Sequence, residues 1–251
     1  MLDTFFVLLF SALSSTGSSE SIILSQKTKT LIRQEIEDKQ TKKEVVQLLN
    51  YYKWQHKKLR KLEQKEELKF IRLLRKNHHD SDEFSALINR YFLIRQLRQE
   101  LRVTYAIKVK NKISDNEWAS LQIKGTDFLA KQYDINQNIK NRLLRRNKKI
   151  DEKIERVAFE PHRQHQIDAI INEINIAELN TWAAFSLLTE RDQKIIFNKY
   201  SSYQDYKTIM DNANQNLHQL LINYVDGHFQ LLEITSENEW QKIQRIIRFT
   251  Y

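Results

Sequence analysis

Residues 27–77 read KTKTLIRQEIEDKQTKKEVVQLLNYYKWQHKKLRKLEQKEELKFIRLLRKN. No Gly or Pro interrupts this stretch, and apolar residues return every third or fourth place at Leu31, Ile36, Val45, Leu48, Tyr52, Leu59, Leu62, Ile71 and Leu74. That spacing is one face of an α-helix. At 1.5 Å per residue the rod is ~75 Å long, against about 11 residues for a usual soluble helix. Such a rod must lie along other long helices or along a partner. Its seam drifts after Leu62, where Glu66 and Lys69 take places expected to be apolar, so a simple coiled-coil dimer does not fit.

The rest of the chain extends the argument. With 3 Gly and 1 Pro in 251 residues, few positions let the backbone turn sharply or break a helix, and an all-α fold follows. Hydrophobic residues make up 41% and charged residues 29%, enough for a core yet low for a compact globule of this size. The expected shape is an elongated long-helix hairpin, a coiled-coil-like arm, with a smaller C-terminal helical bundle.

Charge is segregated. Residues 26–150 hold 31 Lys and Arg against 15 Asp and Glu, whereas residues 151–251 hold 10 against 15; the net charge is +9. The chain is an electrostatic dipole along its sequence, able to attract an acidic surface or its own neighbours head to tail. There is no cysteine, which excludes disulfides, thiol catalysis and thiolate metal sites.

Near the start, an apolar run from Thr4 to Leu13 precedes Ser14-Ser15-Thr16-Gly17-Ser18-Ser19. Its length suits a secretory signal peptide and is too short to span a bilayer. Met1-Leu2-Asp3 lacks the basic residues such a segment usually carries. The expectation is a signal peptide over 1–19, cleavage near Ser14 to Ser19, export to a periplasm, and therefore no nucleic-acid partner for the basic half.

Beyond the first rod, Asp80 or Ser81 can cap a helix from about Asp82 to Lys110, with Phe84, Leu87, Tyr91, Ile94, Leu101 and Tyr105 at heptad-like spacing. Another run extends from Trp118 to Val157, with Gly125 its weak point. Pro161 restricts the residue before it and marks the boundary between a basic arm, 20–158, and an acidic bundle, 159–251. Helices are predicted there from His162 to Leu188, from a Thr189 cap to Tyr200, from Tyr203 to Asp226 with Gly227 as C-cap, and from Ser236.

One short pattern occurs twice: Ser114-Asp115-Asn116-Glu117-Trp118 and Ser236-Glu237-Asn238-Glu239-Trp240. Each spells a capping box, in which Ser114 with Glu117, or Ser236 with Glu239, satisfies backbone N–H groups while Trp118 or Trp240 anchors the first turn. The segment is too short for a repeat architecture.

Chemistry is sparse. His162 and His165, with Glu160 or Asp168, are the metal-ligand candidates at helical spacing; a polar first turn after a proline accounts for them more simply. His78-His79 reads as a solvated loop. The Glu-x-x-His pairs of di-iron bundles are absent, as are phosphate-binding glycine loops, His-Glu-x-x-His and Gly-x-Ser-x-Gly. No enzyme and no cofactor is expected. The basic clusters Lys57-Lys58-Leu59-Arg60-Lys61 and Arg145-Arg146-Asn147-Lys148-Lys149 are solvated helix faces or docking surface for an acidic protein partner. A membrane surface ranks below that, because Trp54 is the single large aromatic suited to headgroups.

Leu188-Thr189-Glu190-Arg191-Asp192-Gln193 resembles the Leu-Thr-x-x-Gln signature of small helical periplasmic stress chaperones, with Asp192 where that family has Gln. In overall character, exported, cysteine-free, rich in Lys, Ile and Asn and bearing acid-capped Trp helices, the chain is similar to the flagellar-coiling sheath proteins of spirochaete periplasmic flagella. That resemblance implies a non-enzymatic protein that binds laterally on a flagellar filament and shapes its curvature. Two expectations therefore stand: a structural assembly protein of an extracytoplasmic filament, contacting filament subunits or copies of itself, or a periplasmic chaperone or metal- or ligand-binding protein.

Overall fold

The computed structural model describes residues 26–75, 80–157, 159–186 and 190–249. Among them are eight helices and no strand: α1 Gln26–Glu35, α2 Lys39–Leu74, α3 Ser81–Lys112, α4 Asp115–Ile154, α5 Pro161–Ser186, α6 Glu190–Phe197, α7 Tyr203–Ile234 and α8 Glu237–Phe249. The segment 1–19, the His78-His79 loop and Thr189 lie outside the described residues.

The rod predicted from Lys27 to Asn77 is in fact two helices, parted at residues 36–38. Asp38 is extended (φ −66°, ψ 120°) and its Oδ2 accepts from Thr41 N at 2.6 Å, so it caps α2. Contacts far along the chain hold the break. Glu37 N donates to Glu117 Oε1 at 3.1 Å, and Ile32 and Ile36 are buried against Val45, Leu49, Ala106, Val109 and Trp118. The long helix that remains, α2, has 36 residues and is ~54 Å long.

α2 and α3 form the expected antiparallel hairpin: Phe70 meets Phe84 edge-on at 5.8 Å at one end, and Tyr52 meets Tyr105 at 5.9 Å towards the other. Asp80 caps α3, its Oδ1 accepting from Asp82 N and Glu83 N. α3 is buried on two sides, against α2 and also against α7, where Phe84 packs on Phe229 and Phe92 on His218. The largest core cluster accordingly joins Phe70, Phe84 and Tyr91 of the hairpin to Leu143 of α4, Trp182 of α5 and Leu217, Leu221 and Tyr224 of α7. This core crosses residue 158, where charge and Pro161 had suggested a boundary between arm and bundle, because α3 needs a second partner to cover its far side.

Pro161 opens α5 at the first helical position, where its missing N–H costs nothing. α5 and α7 then pack closely, and Gly227 is what lets them. It is not the C-cap expected from sequence: α7 runs through it to Ile234, its φ is not positive, and a Cβ there would sit 2.6 Å from Ile174 Cδ1. The glycine serves a close helix approach.

Both Ser-x-x-Glu segments are capping boxes. Ser114 N donates to Glu117 Oε2 at 2.9 Å and Ser236 N to Glu239 Oε2 at 2.8 Å, with reciprocal bonds from Glu117 N and Glu239 N to the serine hydroxyls. Both tryptophans are buried. Trp118 Nε1 donates to Phe197 O at 2.9 Å; Trp240 Nε1 has no hydrogen-bond partner.

Candidate functional site

The hairpin seam explains the drift after Leu62: there the packing is ionic rather than aliphatic. Glu63 is 0% exposed. It accepts from Arg98 Nη2 at 2.8 Å and Arg60 Nη1 at 3.0 Å, with Arg95 Nη1 at 3.6 Å. Arg60 Nη1 also reaches Glu67 Oε1 at 3.0 Å. Glu66, at an expected apolar place, is buried between Lys69 at 2.6 Å and Arg90 at 3.2 Å. Burial opposes ionisation of Glu63, but Arg98, Arg95 and Arg60 outweigh it and hold the carboxyl below the usual range.

Two neighbours are driven the other way. Burial pushes the Glu67 carboxyl up to about 7, against the pull of Arg60. Burial, then Arg102 and Arg98, push His56 down to about 3. His56 Nε2 faces Arg102 Nη2 at 3.0 Å and Arg98 Nη1 at 3.3 Å, so the ring is neutral and accepts through that nitrogen. Asn214 ties the seam to α7, its Oδ1 accepting from Arg95 Nε at 2.8 Å and its Nδ2 donating to Gln99 Oε1 at 2.8 Å.

The seam has a consequence for the surface. Between residues 45 and 74 of α2 the acidic residues are Glu63, Glu66 and Glu67, and all three are buried. Lys53, Lys57, Lys58, Lys61 and Lys65 of the same stretch are exposed. Tyr51, Trp54 and Leu62 stand among them, each about half exposed, and Lys58 Nζ lies 3.7 Å from the Trp54 ring centroid. Between residues 45 and 74 every exposed charge of α2 is thus positive, with apolar side chains among them.

The docking residues read from sequence divide accordingly. Lys57, Lys58 and Lys61 lie on this face, and Arg145, Lys148 and Lys149 are exposed on α4. Arg60 and Arg146 are turned inward. Arg60 serves Glu63 and Glu67; Arg146 is buried and pairs with Glu178, which also accepts from Tyr224 Oη. Sequence reasoning placed them with their neighbours because clusters were read by adjacency, whereas helical spacing sets Arg60 on the seam side. Its trace in the sequence was the acid at Glu63 and Glu67, three and seven residues on.

The opposite character belongs to α5 and α7. Residues 164–186 and 208–234 contain no Lys or Arg. Between these helices lies an open groove of ≈ 390 Å³, flanked by Glu173, Ile176, Asn180, Asn223, Asp226 and Gln230. A second cavity, of ≈ 100 Å³, lies between α2, α4, α5, α7 and α8, lined largely by Ile71, Leu74, Ile150, Ile171, Leu231 and Trp240. It is smaller than the ~300–1,000 Å³ of a usual small-molecule site.

His162 and His165 are exposed on the first turns of α5. Among the described residues no three His, Asp or Glu gather as a metal site, and no described helix is long and apolar enough to cross a membrane. Lys110, 0% exposed, is a buried cation where α3 meets α6 and α7. Its Nζ donates to Ile196 O at 2.9 Å, to Asn198 O at 2.7 Å and to Tyr206 Oη, closing the C-terminal end of α6. These are structural roles.

No protein-family model, no curated protein and no solved structure matches this chain significantly.

Proposed function

We propose that this chain is a non-catalytic assembly protein of an extracytoplasmic filament, lying along it as a flagellar sheath component does and influencing its curvature. One observation supports the reading above the others: α2 buries every acid between residues 45 and 74 in its seam, so that its exposed charges there are all positive, with Tyr51, Trp54 and Leu62 exposed among them. A long one-sign face with apolar anchors suits lateral docking on an elongated acidic surface. Catalysis has no comparable support, since the perturbed groups Glu63, Glu67 and His56 are engaged by Arg60 and Arg98 in a buried seam.

Co-sedimentation of the purified protein with isolated filaments, and filament curvature in a strain lacking it, test the proposal. Binding that falls with rising salt and is lost on Lys57→Glu with Lys61→Glu supports it. A protein that stays in the supernatant at low salt, with filament shape unchanged in the deletion strain, refutes it. The alternative is a helical chaperone or ligand-binding protein, and suppression of client aggregation would favour it instead.

A further inference from the structure

We propose that the protein self-associates head to tail: the basic outer face of α2 in one copy seats in the groove between α5 and α7 of the next. This rests on the assembly reading above and names the partner as a second copy of the same chain.

The two faces are complementary in charge. On α2 the exposed charges from Lys53 to Lys65 are all positive, because Glu63 is drawn into the seam. Along α5 and α7 no cation occurs in residues 164–186 or 208–234, while Glu173 and Asp226, both exposed, flank the groove. Adjacent lysines Lys57 and Lys61 are one helical turn apart, ~6 Å. The basic stripe from Tyr51 to Lys65 is ~22 Å long, comparable with the ~16 Å of α5 from Ile170 to Asn180.

They are complementary in shape and polarity as well. Trp54, 52% exposed, stands on the basic face. The groove, at ≈ 390 Å³, is within the ~300–1,000 Å³ of ligand clefts, and Ile176, 49% exposed, lines it. An amphipathic aromatic anchor ringed by charges is the usual energetic centre of a protein interface. Gly227 sets the groove's width by letting α5 and α7 approach.

Two different patches meet, so the contact is heterologous. It leaves a free basic face at one end and a free groove at the other, and extends as an open chain unless the rotation happens to close a ring. For a protein that lies along a filament, such a contact would link neighbouring copies end to end.

Sedimentation velocity of the full chain at ~20 mM and ~300 mM salt tests this, since exposed ion pairs are strongly screened at the higher value. The expected result is species heavier than the 30.3 kDa monomer at low salt, dissociating at high salt. Lys57→Glu with Lys61→Glu makes one variant and Glu173→Lys with Asp226→Lys a second; each alone should weaken association by ~10-fold or more. An equal mixture of the two should restore it, because reversed α2 then faces reversed groove while the native faces also meet. Trp54→Ala, which changes no charge, should weaken it by ~30-fold. All five positions are exposed, and matched circular dichroism shows whether each variant is folded.

A wild-type chain that remains monomeric at low salt overturns the proposal, as does failure of the mixture to restore association between folded variants. A monomeric chain whose lysine variant loses filament co-sedimentation overturns self-association and leaves the assembly reading standing. Adsorption of the monomer to anionic vesicles, without heavier species, overturns both the second-copy partner and the filament.

Discussion

Replacing Glu63 by Gln is the most direct test of the ionic seam. The substitution keeps the side chain's shape and removes its charge. Arg98 and Arg95, each no more than 2% exposed, would then face a neutral amide whose N–H₂ cannot accept from them. Removing one partner of a buried, hydrogen-bonded ion pair costs about 3–5 kcal/mol, chiefly from the charge left uncompensated. Against a total stability of about 5–15 kcal/mol that is about a fifth or more. For a chain near 250 residues it lowers Tm by about 6–20 °C, at about 2–4 °C per kcal/mol. Urea unfolding followed by circular dichroism measures it. Glu63→Leu combined with Arg98→Met, which removes both ends of the closest pair, should be less destabilised than Glu63→Leu alone. A loss below about 1 kcal/mol for Glu63→Gln, the range of solvated surface pairs, would refute the view that this seam is dry and mutually neutralised.

Other outcomes follow from the same geometry. His56, depressed to about 3, binds its proton more readily in the unfolded chain, so it contributes stability that is present above about pH 6.5 and lost as pH falls towards 3. Glu67, raised to about 7, binds its proton more readily in the folded chain, so it contributes stability that is present below about pH 4.5 and lost as pH rises through 7. The two slopes oppose each other between about pH 4.5 and 6.5; Glu67→Gln should leave stability rising more steeply with pH there, and His56→Gln should leave it falling, as read from urea midpoints across that window. Gly227→Ala should destabilise by about 1 kcal/mol although Ala is the better helix former, and Ile174→Val, which removes the Cδ1 atom 2.6 Å away, should recover most of the loss. Lys110→Met should cost at least about 2 kcal/mol, leaving Ile196 O and Asn198 O without their buried donor, with hydrogen exchange faster in residues 190–197 than elsewhere. Trp118→Phe should cost about 1 kcal/mol more than Trp240→Phe in thermal unfolding, because only the first indole N–H has a partner to lose.

What the sequence could state is what local rules determine. Scarcity of Gly and Pro, a cap at Asp80 or Ser81 and both Ser-x-x-Glu boxes are properties of single segments; the structure has both boxes and places the cap at Asp80. The break at residues 36–38 contains neither Gly nor Pro; it depends on Glu117, some eighty residues away, to receive Glu37 N. Gly227 was read as a helix end because glycine commonly is one, whereas Ile174 on another helix decides its role. On the surface, the lysines of α2 were legible individually. That no exposed acid stands among them was not, since it requires knowing that Glu63, Glu66 and Glu67 turn inward together. The fall of Glu66 on an expected apolar place was the available sign. The absence of Lys and Arg from residues 164–186 and 208–234 was open to inspection and became meaningful only when α5 and α7 proved to be neighbours.

The seam also bears on how the hairpin finds its alignment. A pair of helices zipped by aliphatic residues alone can slide by a heptad and bury nearly the same area. Here a slide of seven residues on α3 would bring Tyr91 or Tyr105 to the place of Arg98 opposite Glu63, setting a carboxylate against a phenol and stranding a guanidinium. In the observed alignment both Arg95 and Arg98 reach Glu63, whereas a slide of one heptad leaves at most one arginine at those two places, Arg102 standing where Arg95 was. Glu63 and Arg98 therefore work like a key in a lock, so that the outward faces of α2 and α3 always emerge in the same phase.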